Sequence, residues 1–178
     1  MVTTGGATLD LRDRVRDVPD FPKPGIVFKD LMPLVADPVY FKATIDELTD
    51  LARPLRPDVI LGAEARGFIF GGALAYQLGC GFVPARKPGK LPWETVAATY
   101  ELEYGMDSLE VHADAIGDGA RVIIHDDVLA TGGTAKAKVD LVEQLGGEVV
   151  GLLFVIELTF LNAREKLEDY DVRSLISY

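Results

Sequence analysis

Apolar and polar positions along the chain follow one order of segments, and that order occurs twice. "DVILGAEA" (58–65) and "GFVPARK" (81–87) are short apolar runs that end in polar loops. The apolar, glycine-rich "RGFIFGGALAYQLG" (66–79) lies between them. The order returns as "RVIIHDDV" (121–128), "TAKAKVDLVEQLGG" (134–147) and "EVVGLLFVIELT" (148–159). Strand, helix, strand, repeated, predicts an α/β fold with a mainly parallel sheet flanked by helices. Upstream, "DPVYFKATIDELTDLARPL" (37–55) predicts a helix capped by Asp37 with Pro38 in its first turn. Leu11, Val15 and Val18 have the spacing of a buried helical stripe in 9–18. "PDFPKPG" (19–25) stops that helix, and "IVFKDLMPLV" (26–35) reads as a short strand or extended turn. Between the two repeats, "ATYELEYGMDSLEVHADA" (98–115) alternates on both sides of Tyr104 to Asp107, as an antiparallel hairpin does.

At 178 residues the chain is long enough for one well-buried core, and an apolar share of 48% argues against disorder. One cysteine, Cys80, allows no intrachain disulfide, and His112 and His125 alone make a poor metal site. The segment "MVTTGGATLD" has no apolar secretory core, and no apolar run is long enough to span a bilayer, so the reading is cytoplasmic with no membrane role. A net charge of −10 disfavours a protein built to grip nucleic acid. Its distribution is uneven. From Leu51 to Lys90 six basic residues stand against two acidic ones, and from Glu101 to Gly119 there are six acidic residues and no basic one. These are either two solvated faces or the two sides of an anion-binding site.

Ligands of open parallel sheets bind beyond the carboxyl ends of the strands, which selects three loops: 64–67, 86 onward, and 126–134. In the last, Gly132 and Gly133 permit a tight turn, Thr131 and Thr134 add hydroxyls, and a helix start offers unpaired amides. That is a cradle for an anion, and without a lysine it suits a phosphate monoester. Asp126 and Asp127 cannot comfortably face a phosphate. They fit two adjacent ribose hydroxyls or the hydration shell of a magnesium ion. Two adjacent carboxylates ending an apolar strand would otherwise be a needless desolvation cost.

With those residues in view, "VIIHDDVLATGGTAKA" (122–137) resembles the phosphoribosyl pyrophosphate signature of the type I phosphoribosyltransferases. "FPKPGIVFKD" (21–30), "GAEARGFIFG" (62–71) and "RKPGKLPWETVAATYELEYGMDSLEVH" (86–112) are similar to the branch of that family that uses adenine. The four blocks stand in the family's order, and the likeness runs from Val18 to the closing "VRSLISY".

The resemblance implies one catalytic domain over 1–178, with a hood segment at 1–36 and a core at 37–178 whose flexible flap covers about 86–105. It implies a magnesium-dependent reaction of adenine with phosphoribosyl pyrophosphate, giving AMP and pyrophosphate, and a homodimer. Ala130, Thr131, Gly132, Gly133 and Thr134 would take the 5′-phosphate, and Asp126 and Asp127 the ribose hydroxyls. Glu64 and Arg66 match the pyrophosphate loop; the alternative for Arg66 is a surface ion pair with Glu64. Arg86, Lys87 and Lys90 open the flap, or else a plain solvated loop. Glu103 matches the acid/base group and Tyr104 its neighbouring gate, although Glu103 and Glu101 could form an ordinary solvated pair. Val27 and Phe28 would face adenine and Lys29 the phosphates, whereas periodicity alone makes Val27 and Phe28 core residues.

Two positions depart from the family's pattern. His125 replaces a small apolar residue, and "LMP" (31–33) replaces Ile-Thr/Ser-Pro. His125 is either a packed ring or a modifier of the site's pH response. Phosphoribosyl transfer to another nucleobase, and a regulator that only senses phosphoribosyl pyrophosphate, are the rival functions. The acidic total and the intact Glu103 block weigh against the regulator.

Overall fold

The computed structural model describes residues 3–4, 7–101 and 106–178, and the chain divides into two compact units, Met1–Glu47 and Leu48–Tyr178. In the first, β1 (Thr3–Thr4) pairs antiparallel with β2 (Ala7–Thr8). The helix expected over 9–18 shrinks to a single 3-10 turn, Leu11–Arg14, and the chain continues as β3 (Arg16–Pro19). The physical reason is the proline-rich stretch that follows. Asp20 turns at a φ of 57° and the chain doubles back, so β3 gains a strand partner in β4 (Val27–Asp30), with Arg16 opposite Asp30 and Pro19 opposite Val27. Pairing across the turn outweighs a helical spacing carried by only three residues.

β4 ends where the Asp30 carboxylate accepts the Met32 amide at 2.9 Å, which opens the short helix α1 (Met32–Ala36). The extended reading of 26–35 therefore holds for its first half only. Helix α2 (Pro38–Ala52) starts as its sequence predicts, with Asp37 accepting the amides of Val39 and Tyr40 at 3.0 and 3.3 Å.

The second unit is built on five parallel strands. β5 (Val59–Ala63) leads through α3 (Arg66–Leu78) to β6 (Gly81–Ala85). β7 (Thr95–Glu101) and β8 (Met106–His112) form the expected antiparallel pair; its turn lies outside the described residues. Then β9 (Arg121–Leu129) leads through α4 (Gly133–Gln144) to β10 (Glu148–Glu157), and β11 (Val172–Ser177) follows. The order across the sheet is β11-β10-β9-β5-β6. From β5 the chain winds outward to β6, and from β9 it winds the other way to β10 and β11. Right-handed crossovers in opposite directions put α3 and α4 on opposite faces. The residues of β10 are buried from Gly151 to Glu157, as in a strand covered on both sides.

Reversal of winding between β5 and β9 makes a crevice at their carboxyl ends. β5 pairs with β9 only as far as Gly62 opposite His125, while β9 runs on beside β10 to Leu129. Asp126 and Asp127 are therefore the first residues of β9 to lose their β5 neighbour.

Candidate active site

Alternation along β9 sends successive side chains to opposite faces. His125 and Asp127 turn to α3, where the His125 ring meets Phe70 edge-on at 6.1 Å and the Asp127 Oδ2 lies 2.5 Å from the Arg66 Nε. Asp126 turns to α4, where its Oδ2 accepts from the Lys138 Nζ at 2.7 Å. The Asp126 Oδ1 accepts the backbone N–H of Asp127 at 3.0 Å. Gly67, at the start of α3, makes room for this arrangement, since a Cβ there would stand 2.9 Å from the Asp126 Oδ1.

Asp127 is nearly buried, with 7% of its side chain exposed. Burial, joined by the charge of Asp126, pushes its pKa up to about 6 against the pull of Arg66. His125 is fully buried, and among the described residues neither ring nitrogen has a partner in hydrogen-bonding geometry. Burial drives its pKa down to about 4, opposed by Asp126 and the Leu153 backbone, so the ring is neutral near pH 7. The packed-ring reading of His125 describes it.

Past Leu129 the chain enters the expected cradle. Thr131 is exposed, and Gly133 and Thr134 are partly so. Gly132 caps α4 at a φ of 82°, and an added Cβ would lie 2.9 Å from the Ala163 carbonyl oxygen. Only glycine meets both the dihedral and the space. The first amides of α4 have no acceptor within the helix and open toward the loop. The segment behind Ala163 is fixed by Arg164, whose Nε and Nη2 donate to the two oxygens of Glu157 at 2.7 and 2.8 Å.

At the end of β5, Glu64 accepts the Lys87 amide at 2.6 Å and the Arg86 Nε and Nη2 at 3.0 and 2.9 Å. The Lys87 amide and the Arg86 guanidinium hold its carboxyl below the usual range against the opposing cost of burial. The Glu64–Ala65 peptide is cis. The structure thus pairs Glu64 with Arg86 and Arg66 with Asp127. Lys87 pairs with Asp107 on β8, which also accepts the Tyr100 hydroxyl at 3.2 Å. Arg86 and Glu110 exchange backbone hydrogen bonds at 2.9 and 2.7 Å, joining the end of β6 to β8. Lys90 is exposed, its amide bonded to the Lys87 carbonyl.

Within the first unit, Val27 and Phe28 lie on β4. Val27 is exposed, against its periodicity, and Phe28 packs edge-on against Phe21 at 5.3 Å. The Lys29 Nζ donates to Asp17 at 2.7 Å. Glu103 and Tyr104 lie outside the described residues. Lys138 had no place in the sequence reading, because a lysine in an amphipathic helix ordinarily faces water. Its only signal was position, one turn beyond Thr134 on the helix that begins at the cradle.

Among the described residues no three acids, histidines or cysteines gather into a metal site, and no helix is long and apolar enough to cross a membrane. Cys80 is half-buried, and burial raises its thiol pKa.

A family profile described as "Phosphoribosyl transferase domain" matches residues 44–177. The adenine phosphoribosyltransferase of Solibacter usitatus is 60% identical over 169 residues, 95% of this chain and 98% of that one. A crystal structure of the Thermoanaerobacter pseudethanolicus adenine phosphoribosyltransferase superposes with a TM-score of 0.92 at 54% identity, covering 94% of this chain and 98% of that one. The Saccharomyces cerevisiae enzyme, solved with an imino-altritol bisphosphate and adenine, superposes at 0.88 with 46% identity, covering 93% and 96%. The chain belongs to the adenine phosphoribosyltransferases, within the phosphoribosyl transferase domain family.

Proposed function

We propose that the paired acids, the loop after them and the cations beside them perform the reaction of this family on the chain's own side chains. That reaction moves the 5-phosphoribosyl group from phosphoribosyl pyrophosphate to adenine and yields AMP and pyrophosphate, a step of purine salvage. Loss of pyrophosphate leaves an oxocarbenium-like ribose, so the protein must hold the sugar in line, neutralise the leaving group and exclude water. Ala130 to Thr134 receive the 5′-phosphate on amides and hydroxyls, and Asp126 and Asp127 accept from the vicinal diol. Arg66 turns from Asp127 to the departing diphosphate, with Glu64 shaping its loop and Arg86, Lys87 and Lys90 adding charge.

Glu103, by the family's pattern, takes the adenine ring proton, and Tyr104, Val27 and Phe28 contact the base. Lys29 is assigned to the phosphates by the same pattern. Magnesium, when bound with the substrate, would supply charge neutralisation at the diphosphate. Two adjacent acids, with no protein cage among the described residues, suit an ion that would be held chiefly by substrate oxygens and water, Asp126 or Asp127 reaching that water. A cytoplasmic homodimer completes the proposal; sedimentation tests the assembly.

The observation that carries the site assignment is the acid pair standing at the β5/β9 crevice directly before a glycine-capped helix start. Incubation with labelled adenine, magnesium and phosphoribosyl pyrophosphate is expected to yield labelled AMP. Hypoxanthine, guanine, xanthine and orotate are expected to give little product. Turnover of an oxopurine alone would refute the choice of base. A salt-sensitive nucleic-acid shift without AMP formation would favour the sensor.

A further inference from the structure

Lys138 is wholly buried in the second turn of α4, yet it carries an ammonium group. Its Nζ donates to the Asp126 Oδ2 at 2.7 Å and to the His125 carbonyl at 3.3 Å. Removing a charge from water this completely is costly unless geometry and partners compensate, and such pairs persist where they fix a structure. The compensation falls on Asp126, an acid placed at the sugar. The carboxylate is held on both oxygens, Oδ2 by Lys138 and Oδ1 by the Asp127 amide, and Gly67 leaves open beside Oδ1 the space that a Cβ would enter to 2.9 Å. α4 is also the helix whose start forms the cradle, and Lys138 lies one turn beyond Thr134 on the same face.

We infer that Lys138 is a positioning residue for sugar recognition: its buried ammonium sets the Asp126 carboxylate in register with the phosphate cradle, so that diol and 5′-phosphate are read at a fixed separation. This rests on the assignment of Asp126 to the ribose. Lys138 touches no substrate. Its effect passes through Asp126, and it falls on the phosphoribosyl substrate and not on the base.

The test compares Lys138→Met, Asp126→Asn and the double variant. Steady-state KM for phosphoribosyl pyrophosphate and for adenine are measured below each variant's thermal midpoint, with the midpoint recorded separately. Lys138→Met is expected to raise the phosphoribosyl pyrophosphate KM roughly tenfold or more, the scale of a small misplacement of a binding group. The adenine KM is expected to stay within about twofold. The double variant, which leaves no unpaired buried charge, is expected to match Asp126→Asn, because the two residues act through one contact.

A lowered midpoint with an unchanged phosphoribosyl pyrophosphate KM in Lys138→Met would reduce the lysine to a structural part and overturn the inference. So would a double variant markedly worse than Asp126→Asn, and this comparison decides the matter if Lys138→Met does not fold. If Asp126→Asn itself leaves that KM unchanged in an enzyme that forms AMP, the assignment of Asp126 to the ribose fails, and this inference with it. If Asp126→Asn raises it and Lys138→Met does not, only the role of Lys138 falls.

Discussion

The carboxyl end of β9 and the segment from Arg86 to His112 both set acids against cations, and they do so in different surroundings. At β9, Lys138 is fully buried against Asp126, whereas Arg66, beside the nearly buried Asp127, keeps 43% of its side chain exposed. Along the second segment, Lys87 with Asp107 and Arg86 with Glu64 keep a quarter to a half of their cationic side chains in water. A buried pair cannot loosen without stranding a charge, so it fixes geometry; a wet pair contributes little and exchanges readily. The Lys138–Asp126 pair suits groups that must define a shape. The exposed cations, Arg66 among them, are the ones that the proposed reaction asks to exchange a protein carboxylate for a substrate phosphate.

The hardest way to break this contrast is at a glycine. Gly132→Ala must force an alanine to a φ of 82° and press its Cβ onto the Ala163 carbonyl. Turnover is expected to fall on the order of a hundredfold. The thermal midpoint should drop by an amount equivalent to about 1–3 kcal/mol. Gly89→Ala, at a φ of 75° but with open space around the added Cβ, is expected to change kcat/KM by less than about threefold, the scale of a backbone effect alone. Equal losses in the two variants would erase the distinction.

Asp127→Asn is the next largest. Losing a charged acceptor is expected to lower kcat/KM for phosphoribosyl pyrophosphate by about 10–100-fold. Because its pKa is pushed up to about 6, the wild-type enzyme should lose affinity for this substrate as pH falls through that value, and the asparagine variant should not. Stability of the ligand-free protein runs the other way. A carboxyl whose folded pKa lies above its ordinary 3.8 favours the protonated fold, so this contribution declines as pH rises from about 3.8 to about 6. Calorimetric titrations and melting midpoints across that window check both slopes.

His125 has the opposite sign. With its pKa lowered from 6.5 to about 4, the unfolded chain takes up a proton first, and stability is lost as pH falls through that range. His125→Leu should remove this loss, on the order of 3 kcal/mol across the range. A variant whose midpoint keeps the wild-type pH profile would contradict the assignment. The smallest effect belongs to the wet region: Asp107→Asn removes the partner of Lys87 and is expected to shift stability by less than about 1 kcal/mol in chemical denaturation.

The sheet and its two main helices were legible because "DVILGAEA" and "RVIIHDDV" each combine an apolar run with a polar end and a helical successor. The turn that opens α4 was legible for a local reason, since Gly132 acts through backbone that the sequence specifies directly. The 9–18 segment was not. Its three apolar residues fit a helix alone, and only the return of β4 turned its end, from Arg16 on, into a strand. Nor could the sequence show the partners of the acids, because Lys138 meets Asp126 and Arg66 meets Asp127 through the stacking of α4 and α3 on the sheet. The neutral burial of His125 was one of two open readings, and contact with Phe70 decided it.

The clamp around Asp126 also bears on the entropy of binding. A free surface carboxylate samples several rotamers and must be frozen when a ligand arrives, at about 0.5–1.5 kcal/mol for an immobilised side chain. With an ammonium on one oxygen and an amide on the other, that freedom is largely gone when the chain has folded. Under the proposed assignment of Asp126 to the ribose, the sugar would meet a preorganised receptor, and its hydroxyls would need to order only themselves.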